Sequence, residues 1–382
     1  MYLDQQEFID LCIKHACDVP TILEAIRKDY PAYTVKPAQI QTRINRLRQQ
    51  GLLLLDSGNK VDPVTILKRV STVYDGTGAI KRQTLHSEVP KQNFLEAYTA
   101  AIEEIAQVIP ALPPVSSPAG PLHEDLATLY ISNDIHFGAL MWGEESGTDW
   151  DTAIATRTLQ AAYDYLFEST PASKIGIVCD LGDLMEINDA TNMTPKSGHI
   201  LAVDSRYPKI LRSAYEGLVY AIRKALVKHE LVYFYNIVGN HDRDSALAVR
   251  EVIRMTFMDN PRVIVDDTAM NIKYHQHGTT LLQFAHGDDM KMRQSGEAMA
   301  VDRHAVFSST MHRYAHFGHT HKDAVVDLPL CRAESHRNIA PLNHWAYNNG
   351  YRANLGTMKA ITYDATHGEI SRNIFNVNMI DD

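Results

Sequence analysis

The chain is 382 residues long, 45% hydrophobic and 22% charged, enough for two or three packed domains and unlike a disordered or fibrous chain. A net charge of −9 gives no reason to expect a polyanion binder, no apolar run approaches the roughly 20 residues of a membrane span, and the N-terminus lacks the basic-then-apolar plan of a secretory signal. Cys12, Cys17, Cys179 and Cys331 are too few and too scattered for a disulfide framework, so the expected compartment is the reducing cytoplasm, that of the host for a phage-encoded chain.

Residues 1–60 read as a small separate domain. The first predicted helix has Phe8, Ile9, Cys12, Ile13 and Ala16 at helical spacing, and the second follows a cap near Asp18 or Thr21. A third, over Pro37–Gln50, aligns Ile40, Ile44 and Leu47 and stops at Gly51. Lys36, Arg43, Arg46 and Arg48 are the cations of this segment, and no acid falls between Val35 and Leu55. Three helices followed by an apolar β-like run resemble a winged helix-turn-helix, which implies a small α+β module whose third helix enters the major groove with its arginines on phosphates or guanine edges. Eight basic against seven acidic residues over 1–60 is a thin electrostatic footprint, so protein docking is the competing reading.

Residues 61–124 read as a connector: a hairpin turning at Asp75-Gly76 and Thr77-Gly78, an amphipathic helix carrying Phe94, Tyr98, Ile102 and Ile105, and a run with five prolines between Pro110 and Pro121. Beyond it, over 125–382, five short apolar β-like runs each break into metal-binding side chains: Asp134-Ile135-His136, Gly182-Asp183, Gly239-Asn240-His241-Asp242, His286-Gly287-Asp288 and Gly318-His319-Thr320-His321. Polar residues just past a buried strand lie at the rim where open α/β sheets bind ligands. Carboxylates, imidazoles and one amide suit Mn²⁺, Fe or Zn²⁺ and are enough for two ions. Predicted helices over Asp151–Glu168, Ser205–His229, Ser245–Met258 and Met290–Phe307 fill the gaps, and Met270–Phe284 and Lys359–Phe375 read as antiparallel pairs turning at His277-Gly278 and His367-Gly368.

In that order these motifs resemble the calcineurin-like metallophosphoesterases. The resemblance covers about two-thirds of the chain and implies an α/β fold, an αββα sandwich of two packed mixed sheets flanked by helices, here behind the winged-helix-like module. It implies two divalent ions, Mn foremost with Fe or Zn as alternatives: Asp134, His136 and His321 on the first, Asn240, His286 and His319 on the second, Asp183 bridging. It also implies a hydroxide held by the ions as nucleophile and His241 as general acid on the leaving oxygen. Asp242 would orient the loop or cap a helix. Glu186 stands where many members carry an Asp and would pair with His241 through its longer side chain. The arginine that marks the protein Ser/Thr phosphatase branch is missing after Gly182-Asp183, which favours a phosphodiester over a phosphoprotein.

The module order is similar to that of phage or bacterial DNA-processing phosphoesterases, so the expected function is a nuclease with DNA as partner and no membrane. A protein partner or a second copy stays open. The alternatives are a phosphatase or small-nucleotide phosphodiesterase with a protein-docking N-terminal module, and a non-catalytic DNA-binding assembly factor. Lys291 and Arg293 are candidate phosphate contacts, and His199 reads as a surface-loop residue.

Overall fold

The computed structural model describes residues 5–15, 17–30, 35–49, 66–74, 80–88, 115–195, 198–341 and 356–380. The chain divides into two compact units, Met1–Glu103 and Glu104–Asp382. Among the described residues no helix is long and apolar enough to cross a membrane.

The first unit holds three helices, α1 (Gln5–Lys14), α2 (Val19–Asp29) and α3 (Pro37–Gln49). They close around the apolar stripe that the sequence spaces for them: Phe8 and Cys12, Ile22 and Ile26, and Ile40, Ile44 and Leu47. Asp18 starts α2 by accepting from the Thr21 backbone N–H at 3.1 Å, with Pro20 in the first turn. Strands β1 (Ile66–Tyr74) and β2 (Ile80–Glu88) pair antiparallel, Val70 opposite Leu85. The turn between them, the apolar run after Gly51, the expected helix over 90–109 and the Arg48 side chain lie outside the described residues.

The second unit is built on two mixed sheets flanked by helices. Three β–α–β crossovers lay down β3 (His123–Ser132), α4 (Thr152–Ser169), β4 (Ser173–Asp180), α5 (Tyr207–Lys228), β5 (Leu231–Asn236), α6 (Arg243–Thr256) and β6 (Val263–Val265). These strands run parallel, Tyr130 opposite Val178 and Val178 opposite Phe234. The antiparallel pair β12 (Thr357–Asp364) and β13 (Gly368–Asn376) extends the sheet beside β3. In the second sheet the hairpin β7 (Lys273–His277) and β8 (Thr280–Ala285) leads into β9 (His312–Phe317), which is parallel to β8; β11 (Arg332–Ser335) and β10 (Ala324–Asp327) complete it.

Strand alternation sets the layers. Tyr130, Val178 and Phe234 pack beneath Leu159, Leu166, Leu218 and Ile222 of the helices, whereas Leu129, Ile177 and Ile361 face Leu282 and Phe284 of the other sheet. The expected single helix over Met290–Phe307 is instead a 3₁₀ turn and two short helices, α7 (Ser295–Asp302) and α8 (His304–Ser309). Two side chains at the break are held by β7: Asp302 accepts from the Tyr274 hydroxyl at 2.7 Å, and the Arg303 guanidinium lies 5.1 Å from the Tyr274 ring.

Candidate metal centre

Strands β3, β4 and β5 are parallel, as are β8 and β9, so within each sheet the ends that carry the motifs point the same way. All five motifs meet at one rim. Backbone conformation marks them as well: Asp134, His136, Asp183, His319 and His321 all have φ between 48° and 65°, the left-handed region that non-glycine residues seldom enter. Two glycines allow the loops to interlock. A Cβ on Gly239 would lie 2.1 Å from Asp183 Oδ1, and one on Gly318 would lie 2.7 Å from Asp134 Oδ2.

Asp134, His136 and His321 form one donor triad. His321 Nε2 is 3.1 Å from Asp134 Oδ1 and 3.4 Å from His136 Nε2. Asp134 is buried and fixed from several sides: the His319 backbone N–H donates to its carboxylate at 2.9 Å, Asn133 Nδ2 donates to Oδ2 at 2.8 Å, and Asn338 Nδ2 donates to its carbonyl at 3.1 Å. Asp183, His286 and His319 form the second triad, with Asn240 Oδ1 3.1 Å from His286 Nε2. His286 Nδ1 meets the Leu181 carbonyl at 2.8 Å; a carbonyl only accepts, so Nδ1 carries the proton and Nε2 faces Asp183 Oδ2 at 3.2 Å.

Glu186 and Asp242 take roles that the motif alone leaves unresolved. The Glu186 carboxylate lies 2.7 Å from His136 Nδ1 and 3.5 Å from His241 Nδ1, while its backbone carbonyl accepts from His241 Nδ1 at 2.9 Å. The longer side chain thus reaches the first triad, and main chain holds His241 with its Nε2 turned away from this anchor. Asp242 does not cap α6 with its side chain; its carboxylate accepts from the Met185 N–H at 3.1 Å and the Gly239 N–H at 3.2 Å. Asn188 does the capping, its Oδ1 accepting from Asp244 and Ser245 N–H at 2.6 and 3.3 Å. Burial together with Asp183 pushes the Asp242 carboxyl up to about 6.

The donor set fits divalent ions. It offers four imidazoles, two carboxylates and one amide oxygen and no thiolate, and ions of the Zn or Mn class hold such atoms at about 2.1 Å, which asks for donors about 3.0–3.4 Å apart. The spacings of 3.1, 3.2 and 3.4 Å meet that demand. Carboxylates outweigh burial at two of the four imidazoles, whereas burial prevails at His319 and lowers it. Burial alone would lower the histidines, yet Glu186, Asp183 and Asp134 hold His136 up at about 9, and Asp183 and Asp134 hold His286 up at about 10. Against burial, the histidines around Asp134 hold it at about 2 and those around Asp183 hold it well below the usual carboxylate range.

Outside this centre the expected contacts scatter. Lys36 and Arg46 are exposed on the first unit, but the Arg43 guanidinium stacks 4.3 Å from the Phe8 ring and is half-buried. His199 lies in an exposed loop closed by its N–H on Thr194 Oγ1. Lys291 donates to the carbonyls of Gly287 and Asp288, both at 2.7 Å. A further buried group, His316, Glu334 and His336, is filled by its own cations, Lys359 and Arg372 each donating to Glu334. Sequence reasoning missed Asn133, Asn338 and Asn188. The first is visible as the neighbour of Asp134, whereas nothing in spacing singles out the other two.

No family model matches the chain, and no curated protein matches it. Among solved structures it is similar to a conserved Streptococcus pneumoniae TIGR4 protein described as a predicted phosphoesterase, at 11% identity over 66% of this chain and 99% of that one, TM-score 0.27. It is likewise similar to an archaeal phosphodiesterase, at 12% identity over 65% and 99%, TM-score 0.33. Vps29 from Entamoeba histolytica, in complex with Zn²⁺, matches at 11% identity over 66% and 99%, TM-score 0.26. At such identities and TM-scores, the chain's own side chains carry the functional reading.

Proposed function

We propose that this chain is a metal-dependent phosphodiesterase with two divalent ions, most simply Mn²⁺, and that it acts as a nuclease on DNA. The observation that carries the reading is the convergence of seven donors from five strand ends at one rim, six of them in two triads and Asn240 beside the second. When bound, paired ions supply Lewis acidity at the phosphoryl oxygens and acidify a water for attack. The chain does the rest. Asp134, His136 and His321 would hold one ion and Asn240, His286 and His319 the other, with Asp183, whose Oδ1 accepts from the His241 N–H at 2.8 Å and whose Oδ2 faces His286, as the carboxylate they would share. With Nδ1 fixed on the Glu186 carbonyl, His241 would turn its Nε2 to the leaving oxygen and give it a proton. Arg243, the arginine next to the third motif, is engaged by Asp288 at 2.8 Å and Asp289 at 3.1 Å, which supports a diester over a monoester needing a free fork.

Hydrolysis of end-labelled single- and double-stranded DNA, beside bis-p-nitrophenyl phosphate, tests both levels with Mn²⁺. DNA cleavage abolished by His241→Ala supports the nuclease. Turnover of the small diester with DNA untouched removes the nuclease and favours the docking reading of the first unit, for which the stacking of Arg43 on Phe8 already speaks. Inertness towards both sinks the enzyme.

A further inference from the structure

A cavity of about 660 Å³ opens beside the candidate metal centre, and His319 lines both. A diester whose phosphate met the triads would have this space beside it for one of its ester groups. The walls there are apolar: Met290 and Met292, which follow the fourth motif, Phe317 at the end of β9, and Val326 of β10. Thioethers are polarisable and pack favourably against aromatic rings. The 3₁₀ turn Met292–Gln294, opened by the Lys291 N–H on Gln294 Oε1 at 2.9 Å, holds Met292 and Arg293 at the cavity. Lys291 is occupied by the motif loop, but Arg293 is exposed and has no side-chain partner among the described residues. A guanidinium in that position stacks on a planar ring or meets its polar edge.

The rim adds a polar group, the exposed Thr320 hydroxyl. Ser335 Oγ donates to the Lys322 carbonyl at 2.9 Å, so in the 2.5 Å pair between the two hydroxyls Thr320 is the donor and keeps lone pairs for an incoming N–H. The volume is that of a small-molecule site, of the order of 300–1,000 Å³, and suits a nucleoside. We infer that this cavity is the subsite for a nucleoside group of the phosphodiester, with the base against Met290 and Met292 and Arg293 at its edge. This rests on the phosphodiesterase reading of the adjoining centre and names the substrate class of that site.

The test compares two diesters that release the same p-nitrophenolate from the full Mn²⁺-loaded chain: the p-nitrophenyl ester of thymidine 5′-monophosphate and methyl p-nitrophenyl phosphate. The expected kcat/KM ratio favours the thymidine ester by roughly tenfold or more. Met292→Ala and Arg293→Ala should each reduce that ratio by roughly threefold or more, a readout independent of how much folded enzyme survives. Equal kcat/KM for the two esters, or a ratio untouched by both variants, overturns the subsite and leaves the phosphodiesterase standing. If neither ester is hydrolysed the phosphodiesterase reading falls, and calorimetry decides the subsite. Thymidine 5′-monophosphate binding roughly tenfold tighter than inorganic phosphate, with the difference lost in the variants, supports it. Equal affinity, or tighter binding of octyl phosphate, overturns it.

Discussion

Asp134, His136, Asp183, His319 and His321 all stand on left-handed backbone, a conformation that costs on the order of 1 kcal/mol or more for a non-glycine residue and persists only where the surrounding structure over-determines it. Here it does: backbone N–H groups of His319 and His241 point at the carboxylates of Asp134 and Asp183, and Gly239 and Gly318 leave room for the approach. Gly239→Ala is therefore expected to displace Asp183 and abolish Mn²⁺ binding, measured by calorimetry; retention of both ions would show that the loops are looser than this packing implies. His241 sits beside the donors without being one of them in this account. His241→Ala should lower kcat for bis-p-nitrophenyl phosphate by roughly 10²–10⁴-fold, the usual worth of a positioned general acid, while two Mn²⁺ remain bound. Loss of metal along with activity would reassign His241 as a ligand.

Buried histidines tie the strands to their helices, and they do so uncharged. His229, at the end of α5, pairs Nε2 with the Tyr130 hydroxyl at 2.9 Å and donates from Nδ1 to the Ser173 carbonyl at 2.8 Å, joining α5 to β3 and β4. Burial lowers its pKa to about 4, and lowers His275 and His316 to about 3 and 4. Each is protonated in the unfolded chain below about pH 6.5 but refused a proton by the fold until much lower pH, so the stability they confer is complete above about 6.5 and drains away as pH falls towards 4. The slope is about 1.4 kcal/mol per pH unit per histidine. The Tm should accordingly drop between pH 7 and pH 5, and His229→Gln should flatten the drop; a pH-independent Tm across that window would contradict it.

Much of the second unit is legible in the sequence because short apolar runs, buried on both faces of the sheet, end in ligand-bearing motifs that constrain strand, rim and donor at once. Helices α4 and α5 fall close to their expected limits, since Asp151 accepts from Ile154 N–H at 2.7 Å as a cap and Pro208 opens the other. What local pattern misses is what distant chain supplies: Asp302 and Arg303 breaking a helix onto Tyr274, Asn188 capping α6 from 56 residues away, and Asn338 holding Asp134 across 204.

As a molecule the chain has a first unit, three helices with a small core of their own and a strand pair, and a second unit that carries the seven candidate donors. The division predicts separable behaviour. A chain starting at Glu104 should hydrolyse bis-p-nitrophenyl phosphate within roughly threefold of full length, with DNA cleavage reduced more, if the first unit contributes phosphate contacts through Lys36 and Arg46. Equal loss on both substrates would place the first unit in the architecture of the site. Two ions, one on each triad with the Asp183 carboxylate shared, would make this chain a diesterase. Metal content of the full chain after Mn²⁺ loading and removal of free metal, measured beside bis-p-nitrophenyl phosphate turnover for wild type and Asp183→Asn, tests it most directly. The expected result is two ions per wild-type chain with turnover, and fewer than two in Asp183→Asn with turnover reduced by roughly 10²-fold or more. A wild type that binds no metal, or an Asp183→Asn chain that turns over at the wild-type rate, would contradict it.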